Sequence, residues 1–209
     1  MNRSSSSKPW AYAVALTLVV LLPLPAPASA GPREVVQEVI DGGIAILEKD
    51  DLTHEQKRSE LQVMVERYFD FETLSSLVLA RKWRGLSASE KQAFISEFKT
   101  HLTLTYGKNV ADYNDEKVLI TGDKEEARGD WTVRTKIVRQ AAPEILVNYR
   151  LRQRDGNWQM IDVVVEGVSL VSNWRAQFRE VLGNSSIDKL IELLRNKNAA
   201  LRAGKTDAG

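Results

Sequence analysis

Val36, Val39, Ile40, Ile44 and Leu47 recur three or four residues apart. That is the spacing of one helix face, and it predicts a helix over residues 33–48. Gly42 and Gly43 weaken its middle, where a bend is expected. A second helix starts at Thr53: Gln56 stands three residues on, as a capping box requires, and Leu61, Met64, Val65 and Tyr68 form its apolar face. Phe71 to Leu79 reads as a short helix crowded with large apolar groups. The clearest helix runs from Ser87 to about Tyr113. Ser87 and Glu90 make another capping box, and Phe94, Phe98, Leu102, Tyr106 and Val110 recur every four residues. Such a stripe drifts around the helix, so this element should wrap across a curved partner.

From Glu116 the period changes to two. "EKVLIT" is followed by Gly122-Asp123, read as a turn. Trp131, Val133, Thr135 and Ile137 then share one strand face, and Ile145, Val147, Tyr149 and Leu151 share another. Asp155-Gly156-Asn157 supplies a hairpin turn before "WQMIDVVVEG". Consecutive strands with short turns pair antiparallel. Two helices follow, Ser169 to Leu182 and Ile187 to about Leu201, before a polar tail. The predicted fold is α+β: helices packed on one face of a twisted antiparallel sheet of about four to five strands. Residues 31–201 form a single domain, with residues 202–209 as a flexible tail.

Composition narrows the chemistry. The 209 residues carry 29 basic and 28 acidic side chains, and no cysteine. Near-neutrality argues against nucleic acid as a partner. The missing cysteine excludes disulfides, thiolate metal sites and a cysteine nucleophile. With only His54 and His101, a histidine-rich metal site is not expected.

At the N-terminus, Arg3 and Lys8 precede the apolar run Trp10 to Leu22, and Ala28-Ser29-Ala30 fits the small-x-small cleavage pattern of an export signal. As a helix the run reaches only about 20 Å, short of a ~30 Å hydrocarbon layer. Residues 1–30 are therefore read as a leader cleaved after Ala30. Removing Arg3 and Lys8 leaves 27 basic against 28 acidic residues.

No catalytic signature stands out. Asp162 lies mid-strand among apolar residues, where a carboxylate either acts as acid or base or bonds nearby backbone or an arginine. Glu166 precedes Gly167 at a strand-to-helix corner and is expected to bond N–H groups at the helix start, with Ser169 as N-cap. Arg150, Arg152 and Arg154 share one strand face, with Arg134 and Lys136 alongside; they form a solvated face or a strip for acidic groups. Large apolar surface is in excess, and periodicity alone does not separate a dry core from a cavity between the layers.

Two blocks carry a resemblance. "RYFDFETLSSLVLARKWRGLSASEKQAFISEFKTHLTLTYG" and "GNWQMIDVVVEGVSLVSNWRAQFREVL" are similar to the MlaC family, the periplasmic phospholipid-binding proteins of the Mla lipid-transport system, also called toluene-tolerance proteins. Trp158, Asp162, Glu166, Gly167, Val168 and Ser169 occupy the places of the family's late block, and "IDKLIELLRNK" fits its end. The likeness covers most of residues 33–198. It implies a soluble periplasmic carrier, a monomer rather than an enzyme, without metal or cofactor. Its partners would be a phospholipid, an inner-membrane Mla ABC-transporter complex and an outer-membrane Mla lipoprotein–porin complex. The implied role is maintaining outer-membrane lipid asymmetry. The alternative is a cone-shaped isomerase or dehydratase using Asp162 or Tyr149 on a small hydrophobic substrate.

The resemblance implies acyl chains between sheet and helices without naming contacts. The inward faces supply the candidates: Phe71, Leu74 and Val78; Phe98, Leu102 and Tyr106; Val133, Val147, Tyr149, Val163 and Val165; Val171, Trp174 and Phe178.

Overall fold

The computed structural model describes residues 30–107, 116–140 and 142–204. The expected leader, Val110 with the continuation of its helix, and the last residues of the tail lie outside these.

The helical starts follow the capping chemistry. Thr53 accepts from the Gln56 backbone N–H at 3.3 Å and its own N–H is bonded by the Gln56 side chain at 2.9 Å, opening α2 (His54–Tyr68). Ser87 and Glu90 do the same for α4 (Ala88–Tyr106). Asp70 caps α3 (Phe71–Leu79) through the Thr73 N–H at 2.9 Å. The first helix, α1 (Pro32–Leu47), runs through Gly42 and Gly43 as one element. The two glycines serve a close approach there. A Cβ at Gly42 would lie 3.3 Å from the Met64 sulfur, and one at Gly43 3.5 Å from its methyl group.

Among the described residues five strands follow: β1 (Lys117–Glu125), β2 (Trp131–Arg139), β3 (Ala142–Arg154), β4 (Asn157–Val165) and the short β5 (Val168–Ser169). They pair in sequence order, all antiparallel. Val133, Tyr149 and Val163 stand side by side across β2, β3 and β4. The β3–β4 turn is Asp155-Gly156, both with positive φ (50° and 81°), as a tight hairpin requires. Gly122-Asp123 is not a turn. β1 continues through it with a bulge between Ile120 and Gly122, and the reversal comes at residues 126–130. The glycine sits there because a Cβ would lie 3.2 Å from the Arg134 guanidinium, a close approach of the kind that marks glycines in strands.

The helices α5 (Leu170–Asn184) and α6 (Ile187–Arg202) close the fold. Two cores result. One lies between α1 and the sheet: Val35, Val36 and Ile40 against Val133, Leu151 and Met160. The other is built by α3, α4, α5 and α6 alone, around Phe94, Phe98, Trp174 and Phe178. The opposite sheet face carries Arg134, Lys136, Arg150 and Arg152. Phe69 packs against both cores.

Candidate functional site

The chain leaves α2 at Phe69 and at once touches the sheet. Phe69 forms a parallel bridge with Met160, and the Asp70 N–H bonds the Met160 carbonyl at 3.0 Å. From this pinned point α2 and α3 lead away, and β4 runs on between them toward β5. The space between is a cavity of about 640 Å³. Val163 and Val165 of β4 form its floor, with Val168 and Leu170 at the β5–α5 corner. α2 contributes Leu61 and Val65, and the α2–α3 junction contributes Phe69, Phe71 and Leu74. Leu102 and Tyr106 of α4 complete the walls. Polar groups are few among the lining residues: Arg58, Gln62, Thr103 and Asn173. An apolar space of this size with sparse polar groups is the usual form of a small-molecule site.

One end of the cavity is open. Val165, Tyr106 and Val168 are 44%, 46% and 63% exposed, large apolar groups facing water at that rim. The α2 wall is thinly held, for none of its side chains is buried. Surface bonds secure it instead: Lys57 to the Leu47 carbonyl at 2.6 Å, Lys49 to Glu60 at 2.7 Å and Lys99 to Glu66 at 3.3 Å.

Of the candidates read from sequence, Phe71, Leu74, Leu102, Tyr106, Val163 and Val165 meet at this cavity. Val78, Phe98, Val171, Trp174 and Phe178 pack into the all-helical core instead. Phe98, Trp174 and Phe178 enclose one another, with ring centroids 5.3–5.7 Å apart. Val133 and Tyr149 pack into the core under α1, and Val147 is buried on β3. Burial pushes the Tyr149 phenol above its ordinary pKa. Sequence reasoning left Leu61, Val65, Phe69 and Val168 out of the site. Leu61 and Val65 were legible as an apolar face; what hid them was the absence of any sign that no protein covers that face.

The polar candidates serve the fold. Asp162 accepts the Ser169 hydroxyl at 2.6 Å and the Val171 N–H at 3.0 Å, so each carboxylate oxygen is engaged and the β4–α5 corner is locked. Neither Asp162 nor Tyr149 lines the cavity. Ser169 is the N-cap as expected. Glu166 differs from expectation: its carboxylate accepts the Leu146 N–H of β3, not an N–H of the following helix. Its backbone at φ 48° turns the side chain back to the sheet. The arginine strip is spoken for internally. Arg150 and Arg152 bond the buried Asp130 at 2.7–2.9 Å, and Arg154 bonds Asp70 and Glu72. Burial pushes the Asp130 carboxyl up, but the two guanidinium groups outweigh it and hold it below the usual carboxylate range. Asp70 behaves likewise, with Thr73 and Arg154 opposing burial.

Residues 37–196 match the model of the family described as "MlaC protein". The chain belongs to the MlaC family. Its relatives include the intermembrane phospholipid transport system binding protein MlaC of Haemophilus influenzae, 23% identical over 168 residues, 77% of this chain and 78% of that one. The toluene tolerance protein ttg2D of Pseudomonas putida is 24% identical over 126 residues, 59% of each chain. Among solved structures, the phospholipid-binding protein from Ralstonia solanacearum in complex with a phospholipid shares the fold. Its TM-score is 0.75 at 21% identity, covering 83% of this chain and 99% of that one. The Haemophilus protein is named as a transport-system binding protein and the Ralstonia protein as a phospholipid-binding protein.

Proposed function

We propose that this chain is a periplasmic phospholipid carrier that takes acyl chains into the cavity between β4 and α2–α4. It would pass them between outer-membrane and inner-membrane Mla complexes and so help keep the outer membrane asymmetric. The observation that carries this reading is the apolar cavity of about 640 Å³ in a chain of the MlaC family. The names of the relatives support the choice of ligand. The sequence of residues 1–30 supports export.

The energetics favour a carrier over free diffusion. A two-chain phospholipid has on the order of thirty methylenes, each worth about 0.8 kcal/mol when removed from water. Exposing them all would cost roughly 25 kcal/mol. The carrier need not outbind a bilayer, because an apolar cavity resembles hydrocarbon. Release into water is correspondingly slow, so transfer goes by direct contact with a membrane complex. Nothing in this requires a covalent step.

The test is organic extraction of the protein purified from the periplasm, followed by mass spectrometry. Phospholipid near one per protein is expected, and Val163→Trp, which fills the floor of the cavity, should fold yet carry none. Protein free of lipid that turns over a small hydrophobic substrate would replace this reading with the isomerase or dehydratase alternative.

A further inference from the structure

Among the described residues, two buried side-chain polar atoms have no hydrogen-bond partner: the Ser75 hydroxyl oxygen and the indole nitrogen of Trp174. Buried donors are nearly always paired, so each calls for an explanation. Ser75 sits within α3, where a hydroxyl has its own helix carbonyls close by. Trp174 has no such recourse. Its ring is fixed by Phe98, His101 and Phe178, with centroids 5.0–5.7 Å away, and the residue is only 7% exposed. What its N–H faces is Tyr106: burial raises that phenol's pKa, and the indole N–H beside it opposes the rise.

Tyr106 is the last residue of α4 and lines the cavity at its open rim. The other polar side chains of the lining each have a partner. Gln62 donates to Glu66 at 3.1 Å, Thr103 to the Lys99 carbonyl at 3.0 Å and Arg58 to Glu55, and Asn173 accepts from Gln177 at 3.4 Å. The Tyr106 hydroxyl donates to no acceptor among the described residues. Of the two hydroxyls in the lining, Thr103 and Tyr106, the second alone keeps its proton uncommitted.

We propose that Tyr106 donates its hydroxyl proton to an ester carbonyl of the bound lipid, with the Trp174 N–H behind it holding the phenol oxygen in place. The inference rests on the carrier reading. Ester groups lie where a lipid's tails meet its polar part, so tails that fill the cavity bring their carbonyls to its open end, within reach of Tyr106. A tyrosine suits such a boundary, being an apolar ring that ends in a polar tip. A phenol oxygen that accepts one hydrogen bond also donates the next more strongly. Trp174 is thus a positioning residue, acting on the tyrosine and not on the lipid. The site takes acyl esters as a class, whatever headgroup stands in the water beyond the rim.

An ether-linked lipid offers the same tails and headgroup without the carbonyls. Wild type and Tyr106→Phe are incubated with vesicles of equimolar dimyristoyl- and ditetradecyl-phosphatidylglycerol, and the lipid extracted from each protein is measured by mass spectrometry. Tyr106→Phe keeps the ring and removes only an oxygen at a half-exposed position, so the fold stands. The ester-to-ether ratio of wild type should exceed that of Tyr106→Phe by about two- to tenfold, the worth of one hydrogen bond. Equal ratios would overturn the proposal. Trp174→Phe should lower the ratio too, and should have no further effect once Tyr106→Phe is present. An effect that persists in the double variant, or none in the single one, would overturn the positioning role of the indole. A wild-type protein that carries neither lipid would instead overturn the carrier reading.

Discussion

Phe98 on α4 is enclosed by Phe94, Trp174 and Phe178, with no exposed surface. Leu61 on α2 faces the cavity, in a helix with no buried side chain. Both are apolar residues on helices with capping boxes at their starts. The difference lies in the partner. α4 is met by α3, α5 and α6, which fill its apolar side around Phe94 and Phe98, and it reaches the cavity at Leu102 and Tyr106 in its last turns. α2 is braced along one edge by the Gly42–Gly43 seat on α1 and at its end by the bridge from Phe69 to Met160. A helix hinged on two sides and unfilled on the third encloses space, where the same sequence pattern elsewhere makes core.

The strongest way to break this comparison is to truncate both residues in lipid-free protein and compare urea unfolding. Phe98→Ala should lose about 3–5 kcal/mol, because it leaves a hole in packed surroundings. Leu61→Ala should lose about 1 kcal/mol or less, since its far side is already open. Equal losses would mean that the space under α2 is packed after all.

A control away from both regions comes next. Asp130→Asn removes the carboxylate from three charge-assisted bonds, one from Arg150 and two from Arg152, and should destabilise by about 1.5–3 kcal/mol, whether or not lipid is loaded. The same residue predicts an acid dependence. Its folded pKa is lowered, as is that of Asp70, so their stabilisation is full above the unfolded value of about 3.9 and is lost as pH falls through the lowered values. Urea midpoints taken down to about pH 3 should fall, and should fall less steeply in Asp130→Asn.

Ser169→Ala removes the α5 cap and one Asp162 bond at the cavity corner. It should lose about 1 kcal/mol, with lipid retention falling alongside if the corner shapes the site. Smallest is Gly42→Ala. The gain in helix propensity, about 1 kcal/mol, is offset by crowding against Met64, leaving a thermal shift of a degree or two at most.

Much of the fold was legible because it rests on local signals: the capping pairs at Thr53 and Ser87, the alternation in β2 and β3, and the Asp155-Gly156 turn. Gly122 misled because glycine marks both turns and bulges, and only the neighbouring strand, through Arg134, decides which. The site was half legible. Phe71 and Val163 could be placed on inward faces, but inward has two meanings here. Trp174 and Phe178 point into packed helices, Val163 and Val165 into open space, and no periodicity separates the two. Phe69 escaped notice because its role comes from a contact with Met160, 91 positions along the chain.

Because α2 is short of interior neighbours, cargo would act as interchangeable filling for the molecule's own centre. Occupancy and folding are then one equilibrium: whatever binds the native state alone raises its melting temperature with the logarithm of its concentration. A thermal melt would thus become a gauge of loading, and a protein emptied of its tails would be a softer one.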